Sequence, residues 1–117
     1  DVLAGSDVRL RCHFHNTRNT GLANALAAVD AGVGVLDSSL GGIGGCPFAP
    51  HATGNIPTED LVYLLHRSGL GTSVDLAAAC ELVPWLEAQL GHSAPGYLAK
   101  AGIFPDVALG ADAPGGS

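Results

Sequence analysis

Basic residues are scarce: five Lys and Arg stand against eleven Asp and Glu, a formal net charge of −6. Nucleic-acid phosphates are held by clustered Lys and Arg that displace counterions, and no basic stripe exists here, which excludes a nucleic-acid surface. Long apolar runs are missing too. No stretch of about eighteen apolar residues is available to span a bilayer, and no charged-then-apolar leader marks a signal peptide. Cys12, Cys46 and Cys80 are widely spaced with no CxxC pair, so the sequence suggests neither a disulfide framework nor a structural zinc knuckle. A reducing compartment is expected, and with it a cytoplasmic location. Methionine is absent and aromatics are only 5% of the residues. The apolar content is mostly Ala, Leu and Val, which makes a thin core for a free-standing unit. Both ends read as cut or frayed: the chain opens on Asp1, and Gly110 to Ser117 has the composition of a flexible tail. A targeting segment upstream of Asp1 stays open.

What is present alternates between strand and helix signals. Val8 to His15 has a period of two, which predicts a strand with His13 and His15 on one face. Asn19-Thr20-Gly21 reads as a turn or cap. Leu22 to Val29 then carries apolar residues at helical spacing until Gly32. Gly32 to Ser38 is close to a continuous apolar run, as expected of a strand covered on both faces in a parallel sheet. Strand, helix, strand predicts βαβ organisation. Leu40 to Asn55 is glycine-rich, includes Pro47 and Pro50 and has no periodicity, so it is expected to be a functional loop. Thr58 is placed to cap a helix running from Glu59 to Gly69, with acids in its first turn matching the helix dipole. Asp75 to Leu90 predicts one more helix, disturbed at Pro84. Beyond Gly91 the sequence predicts loops and one short helical turn.

Two imidazoles at the C-terminal end of a strand lie where α/β barrels place catalytic groups, and together they can chelate one metal. Each could instead be an ordinary core or surface histidine. Ser39 to Phe48 presents the Cys46 thiol on a segment whose glycines permit close backbone approach. Alone, that loop could equally be a surface turn with an incidental cysteine.

The order and spacing of several segments carry more weight. His13-Phe14-His15-Asn16-Thr17, the helix from Gly21, the strand ending Asp37-Ser38-Ser39, the Gly-Gly-Cys46-Pro loop and Gly54-Asn55-Ile56-Pro57-Thr58-Glu59-Asp60 together resemble the hydroxymethylglutaryl-CoA (HMG-CoA) lyases. The resemblance covers approximately His13 to Asp75 and fades towards the C-terminus. It implies an α/β fold, the C-terminal portion of a TIM (β/α)8 barrel with about three βα units. It further implies metal ligands at His13, His15 and Asn55, and a catalytic cysteine at Cys46. The Cys46-Pro47 pair separates lyases from the related isopropylmalate and homocitrate synthases and hydroxy-oxo-acid aldolases, which look similar around the HxHN motif. Asn16 stands where lyases usually have Asp, and His51 where a small residue is common. The family's Asp-Arg-Glu-type motif of the first barrel strand, which brings a further metal ligand and an Arg, has no match.

The activity so implied is cleavage of 3-hydroxy-3-methylglutaryl-CoA to acetyl-CoA and acetoacetate with an acyl-CoA as substrate. The mixed N/O donor set suits Mn²⁺ or Mg²⁺, with Zn²⁺ also compatible. Asp37 and Glu59 are candidates to orient ligands by hydrogen bonding, though each also fits an ordinary role, a strand-end carboxylate and a helix first-turn acid. A barrel needs about 250 residues, so the remaining barrel segment must be a partner, and this chain alone is expected to be inactive. Residues 1–91 are expected to form barrel and 92–117 an extension and tail. No membrane partner is expected, and a homo-oligomer is compatible with the sequence. The competing reading is a non-catalytic metal-binding or assembly domain, favoured by the missing first-strand motif.

Overall fold

The computed structural model describes residues 4–46 and 49–105, with only the backbone described at 46 and 49–53. In chain order the elements are β1 (Arg11–Cys12), α1 (Gly21–Asp30), β2 (Val35–Leu36), a 3-10 turn (Leu40–Gly42), β3 (Gly45–Cys46), β4 (Ala49–Thr53), α2 (Thr58–Arg67), α3 (Leu76–Leu90) and α4 (Leu98–Ala101). β1 and β2 pair in parallel with Arg11 opposite Val35 and Cys12 opposite Leu36, and α1 joins them. β3 and β4 form a separate antiparallel pair.

Helical spacing decides what α1 and α2 bury. Ala25 of α1 and Leu61 and Leu65 of α2 meet Ile56 in one buried cluster, with Leu22, Val29, Phe14 and Leu36 packed around it. Leu22, Ala25 and Val29 are three and four residues apart, as are Leu61 and Leu65, so each set lies on one helical stripe. This cluster fixes α1 and α2 against β2. The segment just before α2 then has little freedom, since Ile56 is 1% exposed.

The parallel pair is shorter than its sequence pattern. Val8 and Leu10, expected inside a strand from Val8 to His15, are 60% and 42% exposed. Likewise only Val35 and Leu36 of the predicted Gly32–Ser38 strand are in a ladder. Among the described residues each of these strands has one neighbour, and parallel ladders are stable where further strands and covering helices bury their edges and faces.

Two further expectations are corrected. The stretch from Leu40 to Asn55, expected to be a loop, contains the 3-10 turn and the β3–β4 pair; β3 is only two residues long and β4 carries Pro50, so neither shows an alternating apolar pattern. Thr58 does not cap α2: Pro57 is the N-cap residue, and the Thr58 hydroxyl instead hydrogen-bonds Ser38 Oγ at 2.8 Å. That bond ties the helix start to the end of β2. α3 runs through Pro84 without a break in assignment, starting from a side-chain cap in which Asp75 Oδ1 accepts the Ala78 N–H at 3.0 Å.

Asp75→Ala is expected to lower stability by about 1 kcal/mol through loss of this cap. Urea unfolding followed by circular dichroism measures it, and an unshifted midpoint would show that the cap contributes nothing.

Candidate functional site

The parallel register places the first pair of site residues. Continuing from Arg11 opposite Val35, the same offset sets His13 opposite Asp37, and His13 Nδ1 hydrogen-bonds Asp37 Oδ1. Asp37 Oδ2 also lies 3.6 Å from Arg11 Nε, an exposed pair in which solvent screening leaves little net energy. Arg11, His13 and His15 share a strand face by their spacing of two. Arg11 was not among the residues singled out from sequence, and the signal that finds it is this period extended one step back. With Nδ1 engaged by a carboxylate, the His13 ring has Nε2 left for a ligand.

His15 sits beside it, with ring centroids 5.0 Å apart and ring planes at 75°. Its backbone forms an antiparallel bridge with Asn55, and the Asn16 N–H donates to Gly54 O at 3.1 Å. The bridge sets Asn55 beside His15, and the ring contact sets His13 beside His15. Asn55 is itself held: its Nδ2 donates to the Ile43 carbonyl at 3.0 Å, leaving the amide oxygen to accept. A Cβ at Gly44, where φ is +93°, would come within 2.9 Å of that Nδ2, so glycine there makes room for the Asn55 side chain.

Asn16, the departure from the usual Asp, accepts the Gly21 N–H through Oδ1 at 3.2 Å and so closes the start of α1. Either a carboxylate or an amide oxygen can do this. His15 Nδ1 and Thr17 Oγ1 are buried and have no hydrogen-bond partner among the described residues. Thr17 also went unremarked in the sequence, where a lone hydroxyl carries no signal. Leaving such groups unsatisfied costs about 1–3 kcal/mol each, which marks this corner as a place where a ligand or a further chain segment would be stabilised.

Two imidazoles and an amide oxygen, each with a ring or amide atom free, fit a divalent cation that accepts mixed N and O donors. Among the described residues no group of three or more His, Cys, Asp or Glu side chains converges. A polar cavity of about 130 Å³ opens next to Asn55, between Asn16, Asn19, Asp60 and Tyr97. A larger cavity of about 400 Å³ lies away from the histidines, lined by Val35, Leu36, Leu61 and Leu65; its apolar walls carry none of the donor groups above.

Cys46 lies in β3, and its side chain is outside the described residues. The two described thiols are free: Cys12 on β1, and Cys80 on α3. Burial, then the carboxyl groups of Glu59 and Asp60, raise the Cys80 thiol above its ordinary value, which keeps it protonated and weakly nucleophilic.

Glu59 does not reach the histidines through any described hydrogen bond. It is fully buried, and its Oε2 accepts the Gly41 N–H at 3.0 Å while Oε1 has no partner. Burial is the main cause that raises its carboxyl above the ordinary 4.5, reinforced weakly by Asp60 and opposed by hydrogen bonds from its own N–H and that of Gly41.

With this geometry in place, comparison with known proteins gives the family. The HMGL-like family model matches residues 2–84. This chain belongs to the HMGL-like family. It is 52% identical over 102 residues to the (R)-citramalyl-CoA lyase of Chloroflexus aurantiacus, which covers 86% of this chain and 32% of that protein. Against the hydroxymethylglutaryl-CoA lyase of Pseudomonas mevalonii it is 51% identical over 79 residues, covering 68% and 26%. A solved HMG-CoA lyase from Acinetobacter baumannii, in complex with coenzyme A and 3-methylmalate, matches with a TM-score of 0.84 at 50% identity over 91% of this chain and 35% of that one. The described α/β portion therefore corresponds to part of an HMG-CoA lyase barrel, and the chain spans about a third of the length of these relatives. Among the described residues no helix is long and apolar enough to cross a membrane.

Burial of Glu59 sets a pH dependence. Its folded pKa lies above the unfolded one, so between the two the folded state holds a proton that the unfolded state has lost, and stability falls as pH rises through that window. Glu59→Gln, which stays neutral, is expected to match wild type near about pH 4 and to become the more stable of the two as pH rises. Thermal midpoints across pH measure this; parallel curves for the two proteins would show that Glu59 titrates normally.

Proposed function

We propose that this chain is the C-terminal part of the barrel of an acyl-CoA carbon–carbon lyase that cleaves 3-hydroxy-3-methylglutaryl-CoA to acetyl-CoA and acetoacetate. The observation that carries the reading is the His15–Asn55 bridge beside the Asp37-held His13, within a chain of this family. His13 and His15 are the nitrogen ligands and Asn55 the oxygen ligand for Mn²⁺ or Mg²⁺, with Zn²⁺ also accommodated by this donor set. When bound, the cation supplies Lewis-acid stabilisation of negative charge developing on substrate oxygen.

The chain's own residues do the rest. Asp37 fixes the tautomer and orientation of His13 by accepting from Nδ1. The Ile43 carbonyl holds Asn55 by its Nδ2 with its amide oxygen free to face a ligand. Cys46, on the glycine-rich loop, is the acid that protonates the acetyl-CoA enolate left by bond cleavage, since a thiol can donate a proton to a basic carbanion. A base that takes the hydroxyl proton, and the Arg and further ligand of the first barrel strand, come from the remaining barrel segment. That segment also supplies cationic groups for the CoA phosphates, since the five Lys and Arg of this acidic chain form no basic stripe in its sequence. Closure of the barrel would bury the exposed Val8 and Leu10 against it.

A second substrate is favoured by the 52% identity to a citramalyl-CoA lyase over most of the chain. Asn16, where an Asp is usual in HMG-CoA lyases, is compatible with it.

In the longer protein that supplies the rest of the barrel, Cys46→Ala is expected to reduce kcat by about 10²-fold or more with metal affinity retained. His13→Ala is expected to weaken Mn²⁺ binding by about 10–100-fold, read by electron paramagnetic resonance of free Mn²⁺. Assays with both 3-hydroxy-3-methylglutaryl-CoA and citramalyl-CoA identify the preferred acyl group. Turnover undiminished by Cys46→Ala removes the thiol from the mechanism, and cleavage of neither substrate sinks the lyase reading. The isolated 117-residue chain is expected to show no turnover; metal-dependent cleavage by it would show that the site needs nothing from upstream.

A further inference from the structure

The glycine-rich loop is tied to α2 and to the turn between α3 and α4 through the two backbone polar groups of one residue. Gly41 gives its N–H to Glu59 Oε2 at 3.0 Å, and its carbonyl accepts the Gly96 N–H at 2.9 Å. Gly41 is thus gripped by α2 on one side and by the turn after α3 on the other. Gly96 has no room for a side chain: a Cβ there would stand 2.6 Å from Glu59 Oε1, 3.1 Å from Pro57 Cβ and 3.3 Å from the Gly41 carbonyl oxygen. The first of these atoms belongs to a fully buried carboxyl that cannot swing out to solvent.

The turn is itself anchored. Asp60 accepts the N–H groups of Tyr97 and Leu98 at 3.1 and 2.8 Å, Glu87 accepts that of Ala94 at 2.8 Å, and Lys100 donates to the Ala94 carbonyl at 2.7 Å. Ala94 is buried, and its methyl group occupies the space that a side chain on residue 41 would need. Two residues after Gly41, the Ile43 carbonyl holds the Asn55 amide, and β3 with Cys46 follows. A shift at Gly41 therefore reaches Asn55 and the Cys46 strand within a few bonds.

We propose that Gly96 is a positioning residue: clamped with Glu59 on Gly41, it sets the glycine-rich loop, so that the turn from Ala94 to Leu98 belongs to the machinery that places Asn55 and Cys46. The catalytic consequence rests on the lyase reading above; the clamp itself does not.

Three variants of this chain test the clamp. Gly96→Ala inserts the methyl group that the carboxyl excludes, Glu59→Ala removes the acceptor for Gly41 without adding bulk, and Glu59→Gln keeps an acceptor. Asp75→Ala, which weakens the fold at the far end of α3, controls for stability alone. Amide exchange at Gly41 by NMR is expected to quicken about tenfold or more in Gly96→Ala and Glu59→Ala, but to stay near wild type in Glu59→Gln and Asp75→Ala. Iodoacetamide labelling of Cys46, read by peptide mass against Cys12, is expected to change in the same two variants. Should Gly96→Ala fail to fold, Glu59→Ala carries the same measurements. Exchange and labelling unchanged in both, or changed equally by Asp75→Ala, overturns the clamp. In the longer protein, Gly96→Ala is expected to lower kcat about tenfold with KM within about twofold, since the loop is mispositioned and not the substrate site removed. An unaltered kcat beside an altered exchange rate overturns the positioning role. An inactive wild type instead overturns the lyase reading and leaves the exchange result standing.

Discussion

The six residues from Asn55 to Asp60 hold the described structure together, because each is committed in a different direction. Asn55 bridges His15 through its backbone and binds the Ile43 carbonyl through its side chain. Ile56 fills the core and its carbonyl accepts the Ser39 N–H at 3.0 Å. Pro57 bridges Ser39, and Thr58 bonds Ser38. Glu59 takes the Gly41 amide and Asp60 the start of α4. A segment with so many partners has one conformation, and the end of β1, the glycine-rich loop and the last helix are all referenced to it. That is the physical basis of a defined site on a chain with a small core.

The two-strand parallel ladder shows the opposite condition. β1 and β2 bond each other and leave their outer edges without partners among the described residues, so apolar residues such as Val8 and Leu10 stay exposed. Parallel sheets gain stability from being covered on both faces and closed at their edges. Spanning about a third of its relatives' length, the chain offers the edges at which the remaining strands of an HMGL-like barrel would add. His15 Nδ1 and Thr17 Oγ1, which follow β1 in the chain, are buried without a hydrogen-bond partner among the described residues.

Much of the site was readable from local pattern. The period of two placed His13 and His15 on one face, and the helices were legible because their apolar residues repeat at three and four. Asn55 was singled out only through resemblance, and the Cys46 loop, noted for its thiol and glycines, read equally as a surface turn until the resemblance gave it a role. The β3–β4 pair was missed because β3 is two residues long and β4, Ala49 to Thr53, carries a proline and few apolar side chains from which an alternating pattern can be read. Thr58 was read as a cap from its type and place, yet its hydroxyl found Ser38, a choice that only the approach of β2 to the start of α2 could make. Glu59 was read both as a candidate to orient ligands by hydrogen bonding and as an ordinary helix first-turn acid. Its burial against Gly41 and Gly96 depends on residues 18 before and 37 after it, and so on closure of loops that no local window contains.

By itself, then, the sequence determined the residue types and the local periods: a pair of imidazoles on a strand face, helices of defined stripe, a glycine-rich loop with one thiol, and a charge too negative for nucleic acid. These follow from geometry within one element, where i, i+2 or i+4 neighbours meet whatever the rest of the chain does. Only the tertiary structure decided which carboxyl serves which group. The register of β1 on β2 gave Asp37 to His13, while packing of α2 beneath the α3–α4 turn took Glu59 away from solvent and gave it to the loop backbone. Such assignments are set by contacts between distant elements, and the core around Ile56, not any motif, brings those elements together.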